Sequence, residues 1–119
     1  ALIATYRAGY DHVVAALEGI TPAELDVRPA PGAWSPREIV HHLADSEMTS
    51  ALRLRRLIAE DAPAIVGYDQ AHYARALFYD RPIEASLEAY LVAANKLHGA
   101  EINGIGVAFV GRRTIADLP

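Results

Sequence analysis

The residues Ser35-Pro36-Arg37-Glu38 constrain this chain more than any others. The Ser35 side chain can accept a hydrogen bond from the backbone N–H of Glu38, and the Glu38 carboxylate can reach back to the N–H of Ser35. Pro36 lacks the N–H that a first helical turn would leave orphaned. No Gly or Pro then interrupts the sequence until Pro63. The pattern predicts one long helix ending near Glu60, with Ile39, Leu43, Ala44, Ala51, Leu54 and Ile58 close together on its wheel.

The other segments carry the same punctuation, with Gly and Pro gathered between Ala-rich stretches. Ile3, Tyr6, Tyr10, Val13, Val14 and Leu17 recur at helical spacing, and Gly19 is placed to end that helix. Thr21-Pro22-Ala23-Glu24 reads as one short capped turn. A short helix is expected from Asp69 to Leu77. A third long helix should begin near Pro82, with Asp80 as its cap, and carry Ile83, Leu87, Tyr90, Leu91 and Ala94 to about Leu97. Glu101 to Arg113 reads as a loop or a poor hairpin. Thr114-Ile115-Ala116-Asp117 looks like a fourth helix start, cut short by the end of the chain. The expectation is a single all-α domain over residues 1–119, a four-helix bundle with an incomplete last helix. About twenty residues separate the second and third long helices, room for a long crossover between parallel neighbours.

Composition excludes several functions. The net charge of −4 is wrong for a protein that coats nucleic acid. The absence of Cys removes disulfides, thiolate metal sites and cysteine nucleophiles, and fits a reducing compartment. No apolar run approaches the roughly 18–20 residues that a membrane span needs.

Chemistry centres on the adjacent pair His41 and His42. Neighbours on a helix point about 100° apart, so at most one of them faces a given site. His42, Ser46 and Arg53 share a stripe, and His41 and Asp45 share another. One reading is a metal ligand with Asp45 or Glu47 as its carboxylate partner. The other is a histidine packed at a helix–helix seam. Neither His-x-x-x-His nor His-Glu-x-x-His occurs. Arg53, Arg55 and Arg56 read as a solvated face paired with Glu47, Glu60 or Asp61. Trp34, Tyr68, Tyr73, Phe78 and Tyr79 plug the bundle's ends or line a pocket. No catalytic residue can be assigned from order alone.

The block Trp34-Ser35-Pro36-Arg37-Glu38-Ile39-Val40-His41-His42-Leu43-Ala44-Asp45-Ser46-Glu47-Met48 resembles the DinB superfamily, most closely its bacillithiol-transferase-like branch of metal-dependent hydrolases. The likeness continues at Ser50, Arg53, Ala62-Pro63-Ala64-Ile65, Tyr68-Asp69, Ser86-Leu87 and Leu97-His98, with a fainter echo at Thr114-Ile115. It implies a bundle of up-down-down-up order, usually a homodimer. It also implies a metal site made by one His of the second helix and two of the fourth, which makes His42 the ligand here. The implied metal is a divalent ion such as nickel or zinc. The implied chemistry is hydrolysis, or transfer of a low-molecular-weight thiol to a small electrophilic substrate. The chain departs from the pattern twice: Glu47 stands where close relatives carry His, and no His follows His98. The competing expectation is therefore a non-catalytic binding or dimerisation module with a degenerate metal site. A cytoplasmic protein with no membrane or nucleic-acid partner completes the expectation.

Overall fold

The computed structural model describes residues 2–97, and every regular element among them is helical. Helices α1 (Leu2–Arg7) and α2 (Gly9–Leu17) are separated by a break at Ala8. Hydrogen bonds from Ala8 N–H to the Ala4 carbonyl (3.1 Å) and from His12 N–H to the Ala8 carbonyl (3.0 Å) carry the ladder through it. Gly19 follows with φ +74°, a left-handed conformation that glycine adopts without steric cost.

Helix α3 (Pro22–Leu25) is one turn with both bonds of its Thr21–Glu24 capping box made. Helix α4 (Pro36–Ala59) begins with the corresponding Ser35–Glu38 box and ends one residue before the expected Glu60. Asp26 accepts from Arg37 at 2.7 Å and Arg28 pairs with Glu38, so the α3 region is clamped onto the first turn of α4. Asp69 caps α5 (Gln70–Ala76) by accepting from His72 N–H at 2.9 Å.

The third long helix reaches Leu97 as expected but departs from expectation at its start. Helix α6 runs from Glu84 to Leu91, and its N-cap is Ile83, with no side-chain cap bond. Asp80 does not cap it. The Arg81 carbonyl is instead drawn across to α4, where His41 and Arg37 both donate to it. That contact, followed by Pro82, holds the chain out of helix until Glu84. Beyond Leu91 the ladder loosens into a π-helical segment, Val92–Leu97. The expected loop over 101–113 and the helix start at Thr114 lie outside the described residues.

Long-range contacts give the helix directions. Tyr6 of α1 bonds Glu47, while Tyr10 packs against Tyr90 on the cluster that holds Ala44, so rising numbers on α1–α2 meet falling numbers on α4. Between α4 and α6 the numbers rise together: Arg37 meets Arg81, His41 meets Ser86, and Ala44 packs with Tyr90 and Ala94. The first three arms therefore run up, down and down, with residues 60–83 as the crossover. Their shared core is Ala44, Tyr90 and Ala94, flanked by Tyr10, Val13, Leu43 and Ala89. A Cβ on Gly9 would stand 3.1 Å from the Tyr90 hydroxyl, so the missing side chain gives Tyr90 its room. Ala51 is buried as expected, but Ile39 is 44% exposed.

Candidate metal centre and its surroundings

The two adjacent histidines have different roles. His41 is fully buried and acts as a seam between helices. Its Nε2 lies 2.9 Å from the Arg81 carbonyl, and its Nδ1 lies 2.7 Å from Ser86 Oγ. A carbonyl can only accept, so Nε2 carries the proton and Nδ1 accepts from the Ser86 hydroxyl. Arg81 in turn donates to Ser86 Oγ at 3.2 Å. Burial, helped by the nearby positive charge of Arg81, pushes the His41 pKa below its ordinary value. With both nitrogens bonded within the protein, His41 has none left for a ligand.

His42 points about 100° away around α4. Its Nδ1 is enclosed and, among the described residues, has no hydrogen-bond partner. The Trp34 ring meets it edge-on at 4.8 Å. Trp34 also touches the Tyr79 ring at 6.2 Å and lines an open groove with Ile20, Val27 and Ile39. Burying a polar nitrogen without a partner costs about 1–3 kcal/mol. An unbonded, sheltered imidazole nitrogen suits a metal ligand, which donates a lone pair rather than a proton.

Asp45 lies three residues further along, on the same side of α4. It is buried and accepts from the Tyr79 hydroxyl. Burial, then the bond to Asp45, pushes the Tyr79 pKa well above that of a free phenol. Glu47 projects elsewhere, toward Tyr6 on α1. Of the two carboxylates considered from sequence, Asp45 shares the His42 side and Glu47 does not.

The basic run is divided. Arg56 pairs with Glu60 as expected, at 3.1 Å. Arg53 donates to the Val66 carbonyl at 2.6 Å and lies 5.9 Å from the centre of the Tyr68 ring. His12 and His72 are exposed on α2 and α5. Among the described residues, no three His, Asp or Glu side chains are close enough to hold a metal ion together. His42 fits a ligand's role, and the described residues bring it no companions.

The partners of His41 and Asp45 were missed by sequence reasoning. Ser86 and Tyr79 are distant in the chain, and only the resemblance at Ser86-Leu87 and the aromatic content near Tyr79 marked them.

The DinB superfamily model matches residues 5–109. The chain belongs to the DinB superfamily. DinB relatives named "Putative metal-dependent hydrolase" include one from Oceanobacillus iheyensis, 42% identical over 64 residues, spanning 54% of this chain and 37% of that protein. Another, from Geobacillus thermodenitrificans, is 36% identical over 86 residues, spanning 71% of this chain and 48% of the relative. The solved structure of YfiT from Bacillus subtilis, described as a probable metal-dependent hydrolase with an unusual four-helix bundle topology, superposes with a TM-score of 0.73 at 28% identity. That match covers 97% of this chain and 61% of YfiT. The chain spans less than half the length of the curated relatives it matches. The fold is thus the DinB four-helix bundle, with three of its arms among the described residues. No helix among them is long and apolar enough to cross a membrane.

Proposed function

We propose that this DinB protein is a metal-dependent enzyme acting on a small electrophilic substrate, as a hydrolase or a thiol S-transferase, with His42 as one metal ligand. The observation that carries the reading is the enclosed, unbonded Nδ1 of His42 at the position where the family resemblance expects a ligand. A divalent cation, nickel or zinc, supplies Lewis acidity when bound. Trp34 packs edge-on against the His42 ring, which limits the ring's freedom to turn. Asp45, held by Tyr79, adds a fixed carboxylate on the same side of α4, placed to attract a cation or accept a proton. The chain has no Cys, so thiol chemistry needs a low-molecular-weight thiol as cosubstrate. Homodimer assembly and a cytoplasmic location belong to the same proposal.

Elemental analysis of protein purified without chelators tests it. About one divalent ion per subunit is expected, as a single catalytic site requires. His42→Ala should lose most of that ion while its circular dichroism stays helical. Metal near zero in both proteins overturns the reading. The lack of a three-donor cluster among the described residues favours a second reading, a non-catalytic binding module. In that case His42→Ala changes neither metal content nor assembly.

A further inference from the structure

The groove lined by Trp34, Ile20, Val27 and Ile39 has a volume of about 630 Å³, the size of a small-molecule pocket. Its frame is built from local bonds. The left-handed Gly19 turns the chain out of α2, and completed capping boxes start α3 and α4. The Asp26–Arg37 and Arg28–Glu38 pairs, with a 3.0 Å bond from Arg28 to the Ala33 carbonyl, hold the loop between them. Within this frame Val27 is 56% exposed and Ile39 44%. Single apolar side chains on a surface need no explanation, but these share one concave face with a tryptophan.

Charge selects what such a face takes. Glu18 and Glu24 line the same groove. Among the described residues the Glu18 carboxylate has no partner. Glu24 receives both Thr21 bonds on Oε2, which leaves Oε1 for a ligand. Those bonds hold its pKa below the ordinary carboxylate value, so it stays charged at neutral pH. The basic residues of this region, Arg28 and Arg37, do not line the groove and are paired with Glu38 and Asp26. An anion, a nucleic acid or a second copy of this acidic chain would meet repulsion here. Tryptophan is the side chain that best attracts an organic cation. We infer that this groove binds a small amphiphilic cation, an ammonium group joined to an apolar body, with the charge at Glu18 and Glu24 and the body against Trp34, Val27 and Ile39.

Trp34 is the only Trp of the chain, so its fluorescence reports on the groove it lines. The test titrates the protein with phenethylammonium, with phenethyl alcohol as its neutral analogue and with hydrocinnamate as an anion, at constant ionic strength. A saturable change is expected with the ammonium, half-complete at a concentration at least about five-fold lower than for the alcohol, and no saturation with hydrocinnamate. The double variant Glu18→Gln/Glu24→Gln keeps the Thr21 box, because Gln also serves at that position. It should bind the ammonium at least about three-fold more weakly and the alcohol as before, with its helical circular dichroism retained. A loss confined to the ammonium places it at the groove's carboxylates rather than beside His42. No saturation with the ammonium, equal binding of ammonium and alcohol, or a folded double variant that binds the ammonium as tightly as the parent overturns the inference. The comparison of the three ligands needs no variant, so it decides the matter if the double variant unfolds. Metal near zero in the purified protein removes the function proposed above and leaves this inference standing.

Discussion

At the scale of single residues, adjacency on a helix separates two chemically identical side chains. His41 spends both nitrogens on α6 and the link before it, while His42 keeps an enclosed nitrogen unbonded. The sequence showed that only one of the pair could face a site. It could not show which, because the deciding partners, Ser86 and the Arg81 carbonyl, lie 45 and 40 residues away. A consequence concerns acid. His41 is held neutral in the fold and has its ordinary pKa of about 6.5 when unfolded. A lowered folded pKa means that the unfolded chain binds the proton first as pH drops. Stability is therefore fullest above about pH 6.5 and declines as pH falls through that value toward the lower folded one, by at most about 1.4 kcal/mol per pH unit. Denaturant titrations between pH 8 and 5 should show the decline, and His41→Ala should flatten it. The same variant should lose about 3 kcal/mol at pH 8, because the Ser86 hydroxyl loses its acceptor, the Arg81 carbonyl keeps only Arg37 of its two donors, and the buried imidazole leaves a cavity.

At the scale of elements, helix starts set by neighbouring residues were readable, and those set by distant contacts were not. Ser35 and Glu38 complete their box with local bonds of 3.3 Å and 2.9 Å, as the four-residue signature required. Ser35→Ala should cost about 1 kcal/mol in a denaturant melt. The start of α6 went the other way. Asp80 looked like a cap, but the carbonyl of the next residue is claimed by α4, and the helix waits until Glu84. The turn before it carries a cost: Phe78 is 69% exposed with φ +54°. A left-handed conformation costs a non-glycine residue roughly 1–2 kcal/mol, part of which glycine gives back through its freer unfolded state. Phe78→Gly should raise stability by up to about 1 kcal/mol, measured by the shift in Tm. This turn delivers Tyr79 into the interior, where it meets Trp34, His41 and Asp45. Tyr79→Phe should cost about 2 kcal/mol, since it leaves a buried carboxylate short of a donor.

At the scale of the whole molecule, three arms meet through small side chains. Ala44 is 1% exposed and Ala94 2%, with Tyr90 filling the space beside them. Ala44→Leu should destabilise by about 1–3 kcal/mol, because the added methylenes have no room to enter, and equilibrium unfolding would register it. Bundle class and the parallel middle pair were legible from helical spacing and the length of the connection. The bundle's small centre was not, because spacing ranked Ile39 with Ala44, and only the tertiary arrangement sends one outward. The parallel pair has a kinetic consequence. Each bond joining α4 to the start of α6 spans 40 to 45 residues. An antiparallel hairpin of helices could zip from its turn, but here the ends of a long loop must find each other before either helix gains its neighbour. Refolding should therefore lag behind that of up-and-down bundles of equal size, and shortening residues 61–67 without disturbing Tyr68 should quicken it.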